Sequence, residues 1–449
     1  MRKGNGILSG LLALVMAAVM LLCPAEAITY EPDFTPTSKA VYLENLDTGL
    51  ILYEKNADEK MYPASLTKIM TAIVVLENVK DLDGETAEYP MWIQNMLYGT
   101  NASLGGLIVG EELTIRQLLT SALVQSGNES AMILAGYVGS GGMADFMPRD
   151  ITTFVEMMND KAKALGCTGT HFTNPTGLHS DNTYTTARDM AIMAKYAMQK
   201  SVFSSIVKNY AVQLGQTNKH ADLWQYSTNK MLLTSSPYYY APVVGIKTGS
   251  TDEAGRCVIS QAEDSGYHYF CVVMGSPVTA AEPYQNFIET RQLYRWAFGN
   301  FSLRTLLEQG ELMAEVPVKY SGDGKVAKLA IKEDVVQLLR DDISLDSIIY
   351  KAELPEFVEA PIAAGDTVGK MHIMLMGEEI GTVELVATQA FSLSWFRKAL
   401  GTIGSLLSST VAKVIFIVVV LAIAGYIVYA VRHNKKRKKH RSKYSDRNY

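Results

Sequence analysis

Three short clusters in this chain bring together side chains able to transfer an acyl group: Ser65-x-x-Lys68, Ser126-Gly127-Asn128 and Lys247-Thr248-Gly249. A serine hydroxyl attacks a carbonyl well only when a base takes its proton, and an amine three residues along a helix shares the serine's face. Ser65 and Lys68 follow Pro63 at the start of a helical pattern that runs on through Ile69 and Val74. Unpaired N–H groups there add a positive field beside the nucleophile. Burial near other cations would lower the lysine pKa and fit it to serve as base. Alone, Ser65 would read only as a helix cap. Ser126 and Asn128 sit on a tight connection between two apolar segments, Leu113–Val124 and Ser130–Val138, which holds a hydroxyl and an amide rigidly while exposing them. Lys247-Thr248-Gly249 reads as the end of a strand over Val243–Lys247. Gly249 lets a substrate backbone lie close, and Lys247 with Thr248 offers a cation and a hydroxyl to a terminal carboxylate.

The first two patterns recur, so context has to choose. Ser205/Lys208 lies in a helical run without a start signal, and Ser227/Lys230 falls too close before Lys247 to leave room for a middle motif. Ser227/Asn229 shares that position, while Ser180-Asp181-Asn182 lies in a polar loop before Thr185-Thr186-Ala187, where turn and cap roles suffice. Lys-Thr-Gly occurs once.

The elements that must carry these groups follow from periodicity. Ala40–Glu54 alternates around Asp47-Thr48-Gly49 as strand, turn and strand. Ile151–Leu165 and Ala187–Met198 read as helices, separated by a loop over Asn174–Asn182. Arg256–Ala262 and Tyr267–Met274 read as strands joined by Glu263-Asp264-Ser265-Gly266, with a helix near Pro283–Phe298. Strands, then helices, then strands again suit an α+β fold: an antiparallel sheet whose first and last strands meet, with a helical insert. Beyond Asn300 the runs Met313–Tyr320, Val326–Ala330, Ser347–Ala352 and Ile380–Ala387 predict a small β-rich domain over 300–391.

Both ends differ from the body. Arg2 and Lys3, an apolar run to Leu22 and Ala25-Glu26-Ala27 form a secretory signal, residues 1–27, so the mature chain is expected to begin at Ile28. A catalytic domain over 28–299 follows. Residues 392–413 form an amphipathic juxtamembrane segment with Trp395, Phe396 and Leu400, and Val414–Val431 is long enough to span a bilayer. The tail, 432–449, holds nine Lys/Arg against one Asp, which leaves the rest of the chain at −13. A basic tail directly after a span is expected on the cytoplasmic side, against lipid head groups rather than nucleic acid. Once Cys23 leaves with the signal, three cysteines remain. Cys257 and Cys271 lie on two arms of a hairpin and could pair, but buried free thiols are the preferred reading. Histidine and cysteine show no metal-ligand spacing, and no cofactor is expected.

These residues together resemble the D-alanyl-D-alanine carboxypeptidases, the low-molecular-mass penicillin-binding proteins. The likeness runs over roughly Ala40–Phe298. It includes Pro63-Ala64-Ser65-Leu66-Thr67-Lys68-Ile69-Met70-Thr71, Phe154-Val155-Glu156-Met157-Met158-Asn159, Leu165-Gly166, Phe172-x-Asn174-Pro175-x-Gly177-Leu178 and Gly245-x-Lys247-Thr248-Gly249-x-Thr251-x-x-Ala254-Gly255. The resemblance implies a β-lactamase/transpeptidase-like domain and cleavage of peptidoglycan stem peptides. Ser65 would be the nucleophile and Lys68 its base; Ser126 would relay a proton and Asn128 hold the substrate amide. Lys247 and Thr248 would bind the carboxylate, and the N–H groups of Ser65 and Ser250 would form an oxyanion hole. β-Lactams are expected as covalent inhibitors. The alternatives are a transpeptidase or endopeptidase on the same peptides, a β-lactamase, for which Glu156-Met157-Met158-Asn159 is a partial echo, and a non-catalytic wall-binding or β-lactam-sensing protein. The family often stops at an amphipathic helix, whereas this chain adds a span and a basic tail.

Overall fold

The computed structural model describes residues 30–408 and 410–445. The expected signal, Cys23 and the last four residues lie outside the described residues. The chain divides into two compact units, one running through Ser302 with Leu338–Asp342, the other Leu303–Gln337 with Ile343 onward.

The first unit is built on five antiparallel strands: β1 (Ala40–Asn45), β2 (Ile51–Lys55), β7 (Lys247–Thr251), β8 (Gly255–Asp264) and β9 (Tyr267–Ser276), in the order β2-β1-β9-β8-β7. First and last strands therefore meet, Val41 opposite Val273. Two-stranded ribbons β3 (Thr86–Glu88) with β4 (Glu112–Thr114), and β5 (Ala211–Gln213) with β6 (Trp224–Tyr226), belong to the insert. Its helices are α1 (Lys68–Asn78), α2 (Met91–Leu97), α3 (Ile115–Thr120), α4 (Asn128–Gly139), α5 (Pro148–Ala164), α6 (Ala187–Met198) and α7 (Ser201–Val207); α8 (Gln285–Asn300) follows the sheet. Helix α1 is buried from Lys68 through Val75, so it is apolar nearly all round and forms the axis of the core.

Three local departures from expectation matter for the site. Ser65 lies in a 3₁₀ turn, Ala64–Thr67, that leads into α1; in that winding residues three apart eclipse, which stands Ser65 and Lys68 in line on one face. Leu113–Val124 is not one helix: Thr114 ends β4 and caps α3 with Gln117, and the turn Ser121–Gln125 widens to π geometry before Ser126. The Lys-Thr-Gly segment starts β7 instead of ending a strand. Gly245 aims its carbonyl off the ladder to Asn229 Nδ2 at 2.9 Å, so regular pairing begins only at Lys247.

Cys167, Cys257 and Cys271 are buried free thiols. Cys257 stands opposite Gly249 and Cys271 opposite Ser260, a register that keeps the two strand cysteines apart.

In the second unit, a six-stranded sheet runs β14-β16-β17-β12-β11-β15. Its members are β11 (Leu312–Lys319), β12 (Val326–Ile331), β14 (Ile348–Glu353), β15 (Val358–Glu359), β16 (Thr367–Leu375) and β17 (Glu378–Ala387). Strands β10 (Phe301–Leu307) and β13 (Val335–Arg340) pair separately. Sequence periodicity missed β16, whose outer face carries Lys370 and His372, the latter held between Glu353 and Glu379. Helices α9 (Trp395–Ser408) and α10 (Thr410–Ser445) end the chain. Within α10, Lys413–Lys435 contains an 18-residue window with a mean hydropathy of 2.9, and α10 is the one helix among the described residues long and apolar enough to cross a membrane.

Candidate active site

Two segments distant in sequence join the Ser65 turn around Lys68. Its Nζ lies 3.1 Å from Ser65 Oγ, 2.9 Å from Asn128 Oδ1 and 2.8 Å from the Thr176 carbonyl. The side chain is fully buried, and burial followed by the Lys247 charge holds its pKa well below the ordinary lysine value, with Glu129 opposing. The Asn128 amide is oriented by Nδ2 donating to Ser103 O at 2.9 Å, which leaves Oδ1 toward Lys68. Both Asn128 Oδ1 and Thr176 O can only accept, so a neutral amine gives them its two N–H bonds and turns its lone pair to the Ser65 hydroxyl.

The loop supplying Thr176 is itself built around one side chain. Asn174 Oδ1 accepts from Thr176 N, Thr176 Oγ1 and Gly177 N, at 3.1, 2.8 and 2.8 Å. Thr71 Oγ1 donates to Pro175 O at 2.6 Å and ties this loop to α1. Gly177 adopts φ +82°, and an added Cβ would fall 1.8 Å from Ala64 O.

Ser126 takes a left-handed conformation, φ +64°, unusual for a residue with a Cβ and a frequent mark of functional turns. Its Oγ accepts from Lys247 Nζ at 2.9 Å, and that amine also donates to Thr248 O at 3.0 Å. Burial alone brings the Lys247 pKa down to about 7. Thr248 Oγ1 shares a 2.6 Å hydrogen bond with Thr228 Oγ1. Gly249 runs against the nucleophile turn: a Cβ there would be 2.9 Å from Pro63 O and 3.1 Å from Ser65 N. Ser65, Ser126, Thr248, Gly249 and Ser250 all line one cleft of about 370 Å³.

Of the competing motifs, Ser205 is exposed and bonds Val202 O, and Asp181 and Asn182 are exposed. Asn159 is fixed to the backbone of Phe172 through both side-chain atoms, inside α5. Ser227 and Lys230 do line the cleft, while Asn229 caps a short turn through Met231 N. Sequence spacing spoke only against Ser227/Lys230 as the nucleophile pair; that both line the cleft follows from the fold, with Thr228 Oγ1 beside Thr248 Oγ1 on β7.

Other cleft residues carried no sequence signal of their own. Ser103 O accepts from the backbone N and from one N–H of the side-chain Nδ2 of Asn128. Glu129, 1% exposed, accepts from Gly105 N at 2.6 Å, and its pKa is raised by burial. An acid directly after the Ser-x-Asn motif and before an apolar run was the available clue. Arg256 lines the cleft with its guanidinium 4.9 Å from the Tyr284 ring.

Comparison with known proteins agrees with this geometry. Residues 26–278 match the family model described as D-alanyl-D-alanine carboxypeptidase, and residues 301–392 match the penicillin-binding protein 5 C-terminal domain. The chain is 29% identical to D-alanyl-D-alanine carboxypeptidase DacF of Bacillus subtilis over 86% of this chain and 95% of that one. It is 34% identical to the D-alanyl-D-alanine carboxypeptidase of Streptomyces sp. strain K15, over 59% of this chain and 88% of that one. Penicillin-binding protein 5 from Haemophilus influenzae superposes with a TM-score of 0.60 at 26% identity, over 81% of this chain and all of the other. The Streptomyces K15 DD-transpeptidase gives a TM-score of 0.54 at 30% identity over 60% of this chain and 100% of that one. The chain belongs to the D-alanyl-D-alanine carboxypeptidase family of penicillin-binding serine hydrolases.

Proposed function

We propose that the protein removes the terminal D-alanine from peptidoglycan stem pentapeptides through an ester on Ser65. The observation that carries the residue assignment is the Lys68 amine, pinned by two carbonyl acceptors with its third side 3.1 Å from Ser65 Oγ. Ser65 Oγ attacks the carbonyl of the penultimate D-alanine as its proton passes to Lys68 Nζ. The N–H groups of Ser65 and Ser250 receive the developing oxyanion. Ser126, hydrogen-bonded to Lys247, relays to the leaving amine the proton that Lys68 took up, which frees Lys68 for the second step, and free D-alanine departs. Water then cleaves the ester and restores the Ser65 hydroxyl. Thr248 contacts the substrate carboxylate, with the Lys247 charge behind it and the Arg256 guanidinium on the neighbouring strand β8, opposite Ser250. Asn128 fixes Lys68 and presents its remaining N–H to the substrate amide. β-Lactams, whose ring carbonyl takes the place of the scissile one, leave the same ester without a departing group.

The protein is membrane-associated through its C-terminal apolar helix, with the catalytic unit on the outer face and the basic tail in the cytoplasm. The DD-transpeptidase name of the Streptomyces structure, at 30% identity, favours one second reading: transfer of the acyl group to an amine of a neighbouring stem peptide. The test is D-alanine release from a peptide ending in Lys-D-Ala-D-Ala, with and without an added acceptor amine, for the wild type and Ser65→Ala. Release without acceptor by the wild type alone is the expected result. Release only with acceptor would select transpeptidation, and covalent penicillin labelling of Ser65→Ala would remove Ser65 from the mechanism.

A further inference from the structure

The β5–β6 ribbon beside the cleft carries a row of aromatic rings that the reaction above does not use. Alternation along β6 sends Gln225 inward, fully buried, with Nε2 donating to Gly105 O at 2.9 Å. Trp224 and Tyr226 therefore share the outward face and are 48% and 50% exposed. Their rings stack at 6.5 Å with 22° between planes, and Tyr226 meets Tyr210 at 6.2 Å. Tyr210 lines the cleft together with Ser227 and Thr228, so the row starts at the catalytic groups and leads away from them. Tyr226 N donates to Gln125 Oε1 at 2.9 Å, which ties the ribbon to the turn ahead of Ser126.

Large flat rings at the surface, with no core to fill, are binding groups more often than packing groups. Beside Trp224, across the ribbon, Gln213 Nε2 donates to Asp222 Oδ2 at 2.5 Å, so a planar amide and a carboxylate border the ring. Aromatic faces edged by amide and carboxylate suit a pyranose, which offers axial C–H bonds to a ring and equatorial hydroxyl or acetamido groups to its rim.

We infer that Tyr210, Tyr226 and Trp224 form a saccharide platform that seats the N-acetylated sugar rings of the glycan strand whose stem peptide lies in the cleft. This rests on the cleft being a stem-peptide site. The direct test titrates full-length Ser65→Ala protein with peptide-free glycan strands and follows binding by isothermal titration calorimetry, a readout that does not need the Trp224 ring. Saturable binding is expected, lost in a second variant that adds Trp224→Ala and kept in one that adds Trp224→Phe. A kinetic test compares D-alanine release from free and glycan-linked pentapeptide. The wild type should favour the linked form by about tenfold, the worth of one to two stacked rings, and Trp224→Ala should cancel that preference while leaving the free-peptide rate unchanged. Absence of glycan binding together with equal use of both substrates by the wild type overturns the platform. Equal losses on both substrates in Trp224→Ala also overturn it, and assign the row to the peptide. Failure of the wild type to cleave either peptide, with glycan still bound, would instead count against the proposed reaction. Penicillin acylation at the wild-type rate certifies that the Trp224 variants carrying Ser65 are folded, and an unchanged thermal melt certifies those built on Ser65→Ala.

Discussion

Gly177→Ala separates the geometry of the Lys68 site from its chemistry, because no reacting group is altered. An alanine Cβ at this position would lie 1.8 Å from Ala64 O, whereas carbon and oxygen in contact sit near 3.2 Å, so the loop must retreat by about 1.4 Å. Thr176 O would move with it, and its 2.8 Å contact with Lys68 Nζ would open to about 4 Å, beyond hydrogen bonding. The amine then loses one of the two acceptors that direct its lone pair, and a misplacement of about 1 Å costs on the order of a hundredfold in rate. The left-handed backbone adds ~1–2 kcal/mol for any Cβ, and the displaced loop brings the total near 3 kcal/mol. For a domain of this size that is a fall of roughly 6–10 °C in Tm. Gly166→Ala is the matched control: its φ is +81° but nothing lies within 4 Å of the added carbon. It should lose only ~1 kcal/mol and acylate normally. Acylation by labelled penicillin, alongside calorimetry, reads both effects. A Gly177→Ala protein acylating within threefold of wild type, or a Gly166→Ala protein equally impaired, would refute the reasoning.

Further outcomes are expected. Gly249→Ala places a Cβ 3.1 Å from Ser65 N and 2.9 Å from Pro63 O, so it should cut acylation by roughly tenfold to a hundredfold while changing Tm little; a rate unchanged by the substitution argues against close packing of β7 on the nucleophile turn. Arg256→Gln should raise KM for a free C-terminal carboxylate by about tenfold and leave the corresponding C-terminal amide unaffected; parallel losses on both would point to packing against Tyr284 instead. Stability should depend on pH in a defined sense. Lys247 titrates near 7 in the fold and near 10.4 in an unfolded chain, so the unfolded state binds more protons between those values and stability rises with pH there, by at most ~1.4 kcal/mol per unit for one site. Lys68 acts in the same direction. Above about 8.5 the buried thiols Cys257 and Cys167, pushed up to about 11 and about 12, oppose the rise, because the native state keeps protons that unfolded thiols release. Urea midpoints should climb from pH 7 to about 8.5 and then level or fall, with a shallower climb in Lys247→Met; a wild-type midpoint that drops over the first interval contradicts the assignment.

What the sequence revealed, and what it hid, divides along physical lines. Ser65, Lys68, Ser126, Asn128 and Lys247 could be picked out because each pairs a reactive side chain with a local signal such as a helix start, a tight connection or a strand. Support that arrives through backbone atoms leaves no such trace. Thr176 O, Pro175 O and Ser103 O are carbonyls that any residue would supply, and only the fold says where they point. Spacing spoke only against Ser227/Lys230 as the nucleophile pair and gave no sign that both line the cleft, which follows from the fold alone. The antiparallel sheet with meeting end strands was readable from element order, because the first and last strands are the apolar ones. The π-turn before Ser126 was not, because Leu113–Val124 has a helical apolar pattern whether its last turn winds by four residues or by five.

Strand β1 lies between β2 and β9, and Ser38 just before it donates to Glu289, 251 residues later. Until the chain is made as far as β9, β1 has one bare edge and the core one missing wall. Ser65, Lys68 and the Ser-x-Asn turn are all synthesised early, yet the Lys-Thr-Gly strand that lies against them comes only with the last part of the unit. A growing chain therefore carries every early motif without a closed cleft, and labelling is expected only once β7 to β9 are in place. Covalent penicillin labelling consequently counts finished catalytic units, and a time course of labelling during synthesis would record assembly itself.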